Sequence, residues 1–281
     1  MLLQFFAGLQ RRFRFTHPSR SLVAGILCLV SVVGCGVEAE SMAAIDDTGD
    51  LHLTYGKAKG EEFKRIRTAL EETGFFDDLV DQLNEKLAFP NDINIVFTNC
   101  GVANAFYSPS DLEITMCYEL IAYYLQIFEE NIETEEDYQA EVIDATSFTF
   151  FHELGHAFVD QYELPITGNE EDAADNFATI IMLDVYGDDL GVISGMFQFD
   201  AEAMEEMENP EDLAYWGEHS LSTQRYYNTA CLIYGSDPES FSFIVEDEYL
   251  PEERAERCES EYEQKSAAWW TLMEPFLKEE I

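Results

Sequence analysis

The sequence predicts an α+β fold: a small mixed sheet with an edge hairpin and one long helix carrying a metal motif, followed by a mostly helical C-terminal lobe. Three observations predict it. Short alternating segments occupy residues 93–116, Phe151-His152-Glu153-Leu154-Gly155-His156-Ala157-Phe158 lies within a helical pattern, and strand-like alternation does not return after Tyr162.

The helical motif organises the rest. Residues four apart on a helix lie one above the other, so His152 and His156 present two imidazoles from one face. A zinc ion takes neutral histidine nitrogens in this way and keeps a position open for water. Glu153 is rotated by about 100°, so it can lie beside that water and take its proton without ligating. The uncharged flanks (Phe150, Phe151, Leu154, Gly155, Ala157, Phe158) suit a helix buried behind a metal.

Length and composition bound the remainder. A chain of 281 residues, 47% hydrophobic and 14% aromatic, can bury a sizeable core despite a formal charge of −42. Residues 1–37 hold four arginines and no acid, so the rest carries all 57 acids against the other 11 of the 15 bases. Such a surface repels nucleic-acid phosphate and anionic lipid, which excludes nucleic-acid binding.

Residues 1–35 read as a signal or lipid-anchor segment: basic through Arg20, then apolar from Ser21 to Gly34. Val32-Val33-Gly34-Cys35 resembles a lipoprotein cleavage box that would leave a lipidated Cys35, and Val37-Glu38-Ala39 an ordinary cleavage site. The expected location is exported, periplasmic or extracellular, with membrane contact only through that N-terminal anchor. Four further cysteines agree with an oxidising compartment, and nearest-neighbour pairing gives Cys100–Cys117 and Cys231–Cys258.

Along the chain, residues 36–56 read as an acidic polar tether and residues 57–162 as an α+β lobe. Phe63, Ile66 and Leu70 share a helix face that ends at Thr73-Gly74, and a second helix runs from Phe76 to Leu87. Strands follow at Ile93–Thr98, Asn104–Tyr107 and Leu112–Met116, the last two forming a hairpin whose ends Cys100–Cys117 would staple. An edge strand beside a metal helix can take an extended peptide as an added strand, or can simply be structural. A helix from about Tyr118 to Glu130, an acidic link, and the metal helix from roughly Tyr138 to Tyr162 complete this lobe. Residues 163–281 form the helical lobe, opening with a helix from Asn169 toward Gly187.

Two histidines need a third ligand. Val159 and Tyr162 occupy the places where one class of sites has a glycine and a third histidine, which excludes that class. A carboxylate from the next helix remains. Glu171 and Asp175 share one face, so the first can ligate while the second accepts a ring N–H from a ligand histidine. Glu170 and Asp172 compete for the ligand position. Ala173-Ala174 would permit close helix contact.

These residues resemble the thermolysin-like branch of zinc peptidases, in which H-E-x-x-H pairs with a downstream E-x-x-[SA]-D, matched by Glu171-Asp172-Ala173-Ala174-Asp175. That branch also uses an Asn-Ala-aromatic edge strand, to which Asn104-Ala105-Phe106-Tyr107 is similar. More closely, the span from about Phe63 to Cys258 resembles a family of uncharacterised exported bacterial metallopeptidases. The matching pieces include Cys100-Gly101, Cys117-Tyr118-Glu119-Leu120, Glu218-His219 and Gln224-Arg225. Glu170, where thermolysin has asparagine, is a departure.

The resemblance implies a zincin-like fold, a Zn2+ cofactor held by His152, His156 and Glu171, and a peptide or protein substrate. It implies peptide-bond hydrolysis with Glu153 as general base and His219 stabilising the oxyanion from across the cleft. Asn104 to Tyr107 would bind substrate. Arg225, the sole base between Lys86 and Arg254, calls for a specific carboxylate partner. The rival reading is a non-catalytic cell-surface interaction protein with structural zinc on the same scaffold.

Overall fold

The computed structural model describes residues 46–129 and 135–278. The signal segment, Cys35 and most of the acidic link lie outside the described residues.

A four-stranded mixed sheet has the order β1-β2-β4-β3, with β1 at Leu51–Tyr55, β2 at Ile93–Thr98, β3 at Ala105–Ser108 and β4 at Glu113–Cys117. The first three in that order are parallel and β3 runs antiparallel against β4, pairing Ala105 with Met116 and Tyr107 with Ile114. Ile93, Ile95 and Phe97 are fully buried, as their alternation with polar neighbours requires.

The strand β1 corrects the reading of residues 36–56 as a tether. Leu51, Leu53 and Tyr55 alternate with His52 and Thr54, a short period-2 signal submerged in its acidic surroundings. What fixes the strand lies far away in sequence. It pairs with β2 from Leu51↔Ile93 to Tyr55↔Phe97, and the Asn84 side chain clamps Leu51, accepting from its N–H at 2.8 Å and donating to its carbonyl at 2.9 Å.

Helices α1 (Glu61–Thr73) and α2 (Phe75–Lys86) connect β1 to β2, broken at Gly74, whose φ of +63° favours glycine. Helix α3 (Tyr118–Phe128) leads to α4 (Glu135–Gln161), the metal-motif helix. Around that motif Phe148, Phe150, Phe151, Leu154, Ala157 and Phe158 are all fully buried, so α4 is the spine of the molecule.

Next come α5 (Glu170–Ile181), capped by the Asn169 side chain, and a π-helical turn over Met182–Tyr186 that ends at Gly187. The helical remainder comprises α6 (Asp189–Glu208), α7 (Ser222–Ser236), short α8 (Phe243–Glu246) and α9 (Glu252–Ala255), and α10 (Cys258–Met273). This is the α+β architecture expected, with its edge hairpin at β3–β4.

Both expected disulfides form. Cys100–Cys117 ties the ends of β2 and β4, and Cys231–Cys258 joins α7 to α10. Bridging 17 and 27 residues, each stabilises by about 3 kcal/mol in the chain-entropy model. Among the described residues no helix is long and apolar enough to cross a membrane.

Candidate functional site

Helices α4 and α5 lie close enough to share one site because both present small residues. A Cβ added to Gly155 would meet the Ala174 Cα and a Phe177 ring carbon at 3.2 Å. Ala174 of the pair Ala173-Ala174 therefore does what its size suggested, and Glu171 and Asp175 come to face the two histidines.

The resulting geometry is compact. His152 Nε2 and His156 Nε2 are 3.3 Å apart, and Glu171 Oε2 lies 3.2 Å from the first and 3.3 Å from the second. Tetrahedral coordination with bonds of about 2.0–2.1 Å sets ligand atoms roughly 3.3–3.4 Å apart. The triangle therefore has the edge lengths that a zinc-sized ion demands. The donor set, two imidazoles and one carboxylate with an open fourth side, fits a divalent metal centre of the catalytic type.

His219 complicates the choice of ligands, because His152, Glu171 and His219 also place ligand atoms within 4.8 Å of one another. His219 Nε2 is 2.9 Å from Glu171 Oε2, and its ring stacks on that of His152. The surroundings favour His156. A ligand histidine generally has its second ring nitrogen held by a carboxylate or carbonyl. His152 Nδ1 lies 2.8 Å from Asp175 Oδ1, and His156 Nδ1 lies 2.8 Å from Glu170 Oε1. The His219 side chain is 55% exposed, on a loop, and no carboxylate among the described residues holds its Nδ1.

That loop is pinned to the start of α5. The Asn169 amide donates to the Glu218 carbonyl at 2.9 Å, and the Ser220 hydroxyl donates to Asp172 at 2.8 Å. The competing ligands thus have other tasks: Glu170 orients His156, and Asp172 holds the loop that carries His219. In the sequence the first role showed only as an unexplained acid before the ligand. The second showed only as part of an acidic run.

Arg225 finds the carboxylate that its isolation called for. Its Nε and Nη2 donate to Asp175 Oδ2 and Oδ1 at 2.8 and 2.7 Å, and its guanidinium lies 4.0 Å over the Phe199 ring. A chain Arg225–Asp175–His152 thus runs from α7 through α5 to α4.

Electrostatics follow from this crowding. Burial disfavours the His152 imidazolium, but Asp175 and Glu171 outweigh it and raise the pKa to about 9. Burial would raise the carboxyl of Glu171, yet contacts with three histidines hold it far below the usual range. Glu153 is raised, chiefly by loss of hydration, although the neighbouring histidines and the backbone N–H of Tyr107 stabilise its charge. Of these, His152, Glu153 and Asp175 are buried.

The edge segment borders the same space. Asn104 is exposed, its carbonyl accepts from Cys117 N at 3.2 Å, and with buried Ala105 it lines a cavity beside His152, Glu153 and His219. Phe106 points to solvent at 43% exposure. The Tyr107 hydroxyl is taken up by α4, donating to Asp160 at 2.7 Å, so only its backbone faces the site's chemistry.

A family model described as "Putative metallopeptidase" matches residues 55–273. The chain belongs to this metallopeptidase family. The matched span begins on β1 and ends with α10, so it takes in every candidate site residue from Asn104 to Arg225. No curated protein and no solved structure matches the chain.

Proposed function

We propose that this protein is an exported, zinc-dependent peptidase of thermolysin-like mechanism, its ion held by His152, His156 and Glu171. The observation that carries the reading is the near-equilateral triangle of their ligand atoms at 3.2–3.3 Å, with Glu153 beside it on the same helix turn. Zinc at this position would polarise a peptide carbonyl and lower the pKa of a bound water to about 7.

The side chains supply the rest. Glu153, desolvated and oriented by the Tyr107 N–H, takes the proton of the attacking water and passes it to the leaving amine. Asp175 and Glu170 fix the tautomers of His152 and His156, so that each keeps its Nε2 lone pair toward the ion. His219, half exposed on a loop held at the rim by its neighbours, donates to the carbonyl oxygen as charge grows there. The outer edge of β3, which among the described residues pairs only with β4, offers backbone groups to an extended substrate. Export is supported by the two disulfides, which belong to an oxidising compartment. Cys35 as an acyl anchor is the sequence-based part of this proposal.

The test is metal analysis together with digestion of a denatured protein mixture. Wild type binds one zinc and cleaves. Glu153→Gln keeps the zinc and loses roughly 10²–10⁴-fold in rate. A variant that binds zinc and cleaves as fast as wild type sinks the mechanism.

A further inference from the structure

The cavity beside the metal triangle, about 110 Å³, continues past His152 and Glu153 to a polar floor on α6. Gln198 and Glu202 are four residues apart there, so successive turns of one helix face send both side chains toward it.

Neither is satisfied by the protein. Gln198 is 3% exposed, its oxygen meets the Thr149 hydroxyl only at 3.5 Å, and its amide nitrogen has no partner among the described residues. Glu202 receives one long bond, 3.3 Å from the Ser222 hydroxyl, which sits closer to Glu206 at 2.8 Å. The cation nearest this floor is already matched, since Arg225 turns two nitrogens to Asp175 and its face to Phe199. The floor therefore has a carboxylate that feels the charge of Arg225 on the same cavity wall but is in direct contact with no cation among the described residues, flanked by an amide with bonding capacity to spare.

We infer that this cavity is the specificity subsite of the proposed peptidase, and that it accepts a lysine or arginine side chain adjoining the scissile bond, paired with Glu202. This rests on the peptidase reading and deepens it. An ammonium or guanidinium entering here would meet Glu202 and the Gln198 carbonyl oxygen together, two acceptors that an apolar side chain would leave poorly paired, whereas the Thr149 hydroxyl beside them is already held by Tyr124 and the Ala145 carbonyl. Loss of hydration raises the Glu202 carboxyl and outweighs the attraction of Arg225, as burial without a contacting cation does. The formal charge of −42 adds long-range attraction for basic peptides.

Two peptides identical except for lysine or norleucine at the position next to the cleaved bond, on whichever side product sequencing identifies, decide the matter. Wild type should prefer lysine by tenfold or more in kcat/KM, and Glu202→Gln should lower the lysine-to-norleucine ratio by about tenfold or more. The zinc-loaded Glu153→Gln variant gives a second readout: it should bind the lysine peptide more tightly than the norleucine peptide, and Glu202→Gln in that background should erase the difference. Cleavage by wild type with no preference for lysine, a ratio unchanged in Glu202→Gln, or equal binding of both peptides overturns the subsite. Failure of zinc-loaded wild type to cleave any peptide overturns the peptidase reading instead, and the binding comparison then still decides the subsite.

Discussion

Arg225 and Asp175 form a two-pronged ion pair, 2.8 and 2.7 Å long, between side chains that are only 13% and 8% exposed. Asp175 spends the same carboxylate on His152, so one interaction fixes both the packing of α7 on α5 and the ring orientation of a candidate ligand. Breaking a buried pair strands a charge and costs about 3–5 kcal/mol. Arg225→Leu should lower stability in urea by that order. Arg225→Lys, which keeps charge but loses the planar fork, should fall between. Denaturation of the three proteins with zinc present tests this, and an Arg225→Leu protein as stable as wild type would remove the pair from the account.

Glu170 gives a contrast. Its side chain is half exposed, yet it sits 2.8 Å from His156 Nδ1. Glu170→Ala should leave the fold nearly as stable while weakening zinc binding by about tenfold to a hundredfold, the usual effect of removing a group that orients a ligand. Competition with a chromogenic chelator measures it. Unchanged affinity would mean that His156 needs no such support.

Gly155 tests the helix contact on which the site depends. Alanine in place of glycine inside a helix ordinarily gains up to about 1 kcal/mol. Here the new methyl would press on the Ala174 backbone at 3.2 Å, so Gly155→Ala should gain little or nothing. Gly155→Val should cost about 1–3 kcal/mol by overpacking and also weaken zinc binding, because it pushes Glu171 away from the histidines. Thermal melts and chelator competition on both variants check the two effects together; a Val variant that binds zinc as wild type would show that the helices tolerate separation.

Glu119 supplies a pH dependence away from the metal. Burial pushes its carboxyl up, but bonds from Cys100 N, the Asn99 side chain and Gly101 N outweigh that and leave it below its ordinary 4.5. The unfolded chain then takes up the proton first as pH falls. The stabilisation is present in full well above 4.5, and it is lost progressively below that value as the folded carboxyl also protonates. Glu119→Gln should be less stable than wild type at pH 7, with the difference shrinking between about pH 5 and the folded value. Parallel denaturation curves at pH 7 and pH 4 with disulfides intact would show it. A gap that stays constant with pH would assign the loss to shape rather than charge.

Much of this molecule was written in local pattern. The spacing of His152 and His156, the alternation of β2 and β4, and the helix breaks at Gly74 and Gly187 each depend on neighbours along the chain, so the sequence by itself determined the fold class and the helix carrying the motif, whereas four cysteines allow three pairings and the structure chose the nearest-neighbour one. It also determined that Arg225 needed an acid, because a lone base in so acidic a chain has few alternatives. Only the tertiary structure showed what each of the four neighbouring acids touches. Glu170, Glu171, Asp172 and Asp175 differ little as letters, and their division into partner of His156, candidate ligand, loop anchor and ion-pair partner depends on how closely Gly155 lets α5 approach α4. β1 was missed for the same reason, since a short strand becomes one only when β2 supplies its hydrogen bonds. Local period is a property of one segment, whereas a side chain's partner is set by the packing of two.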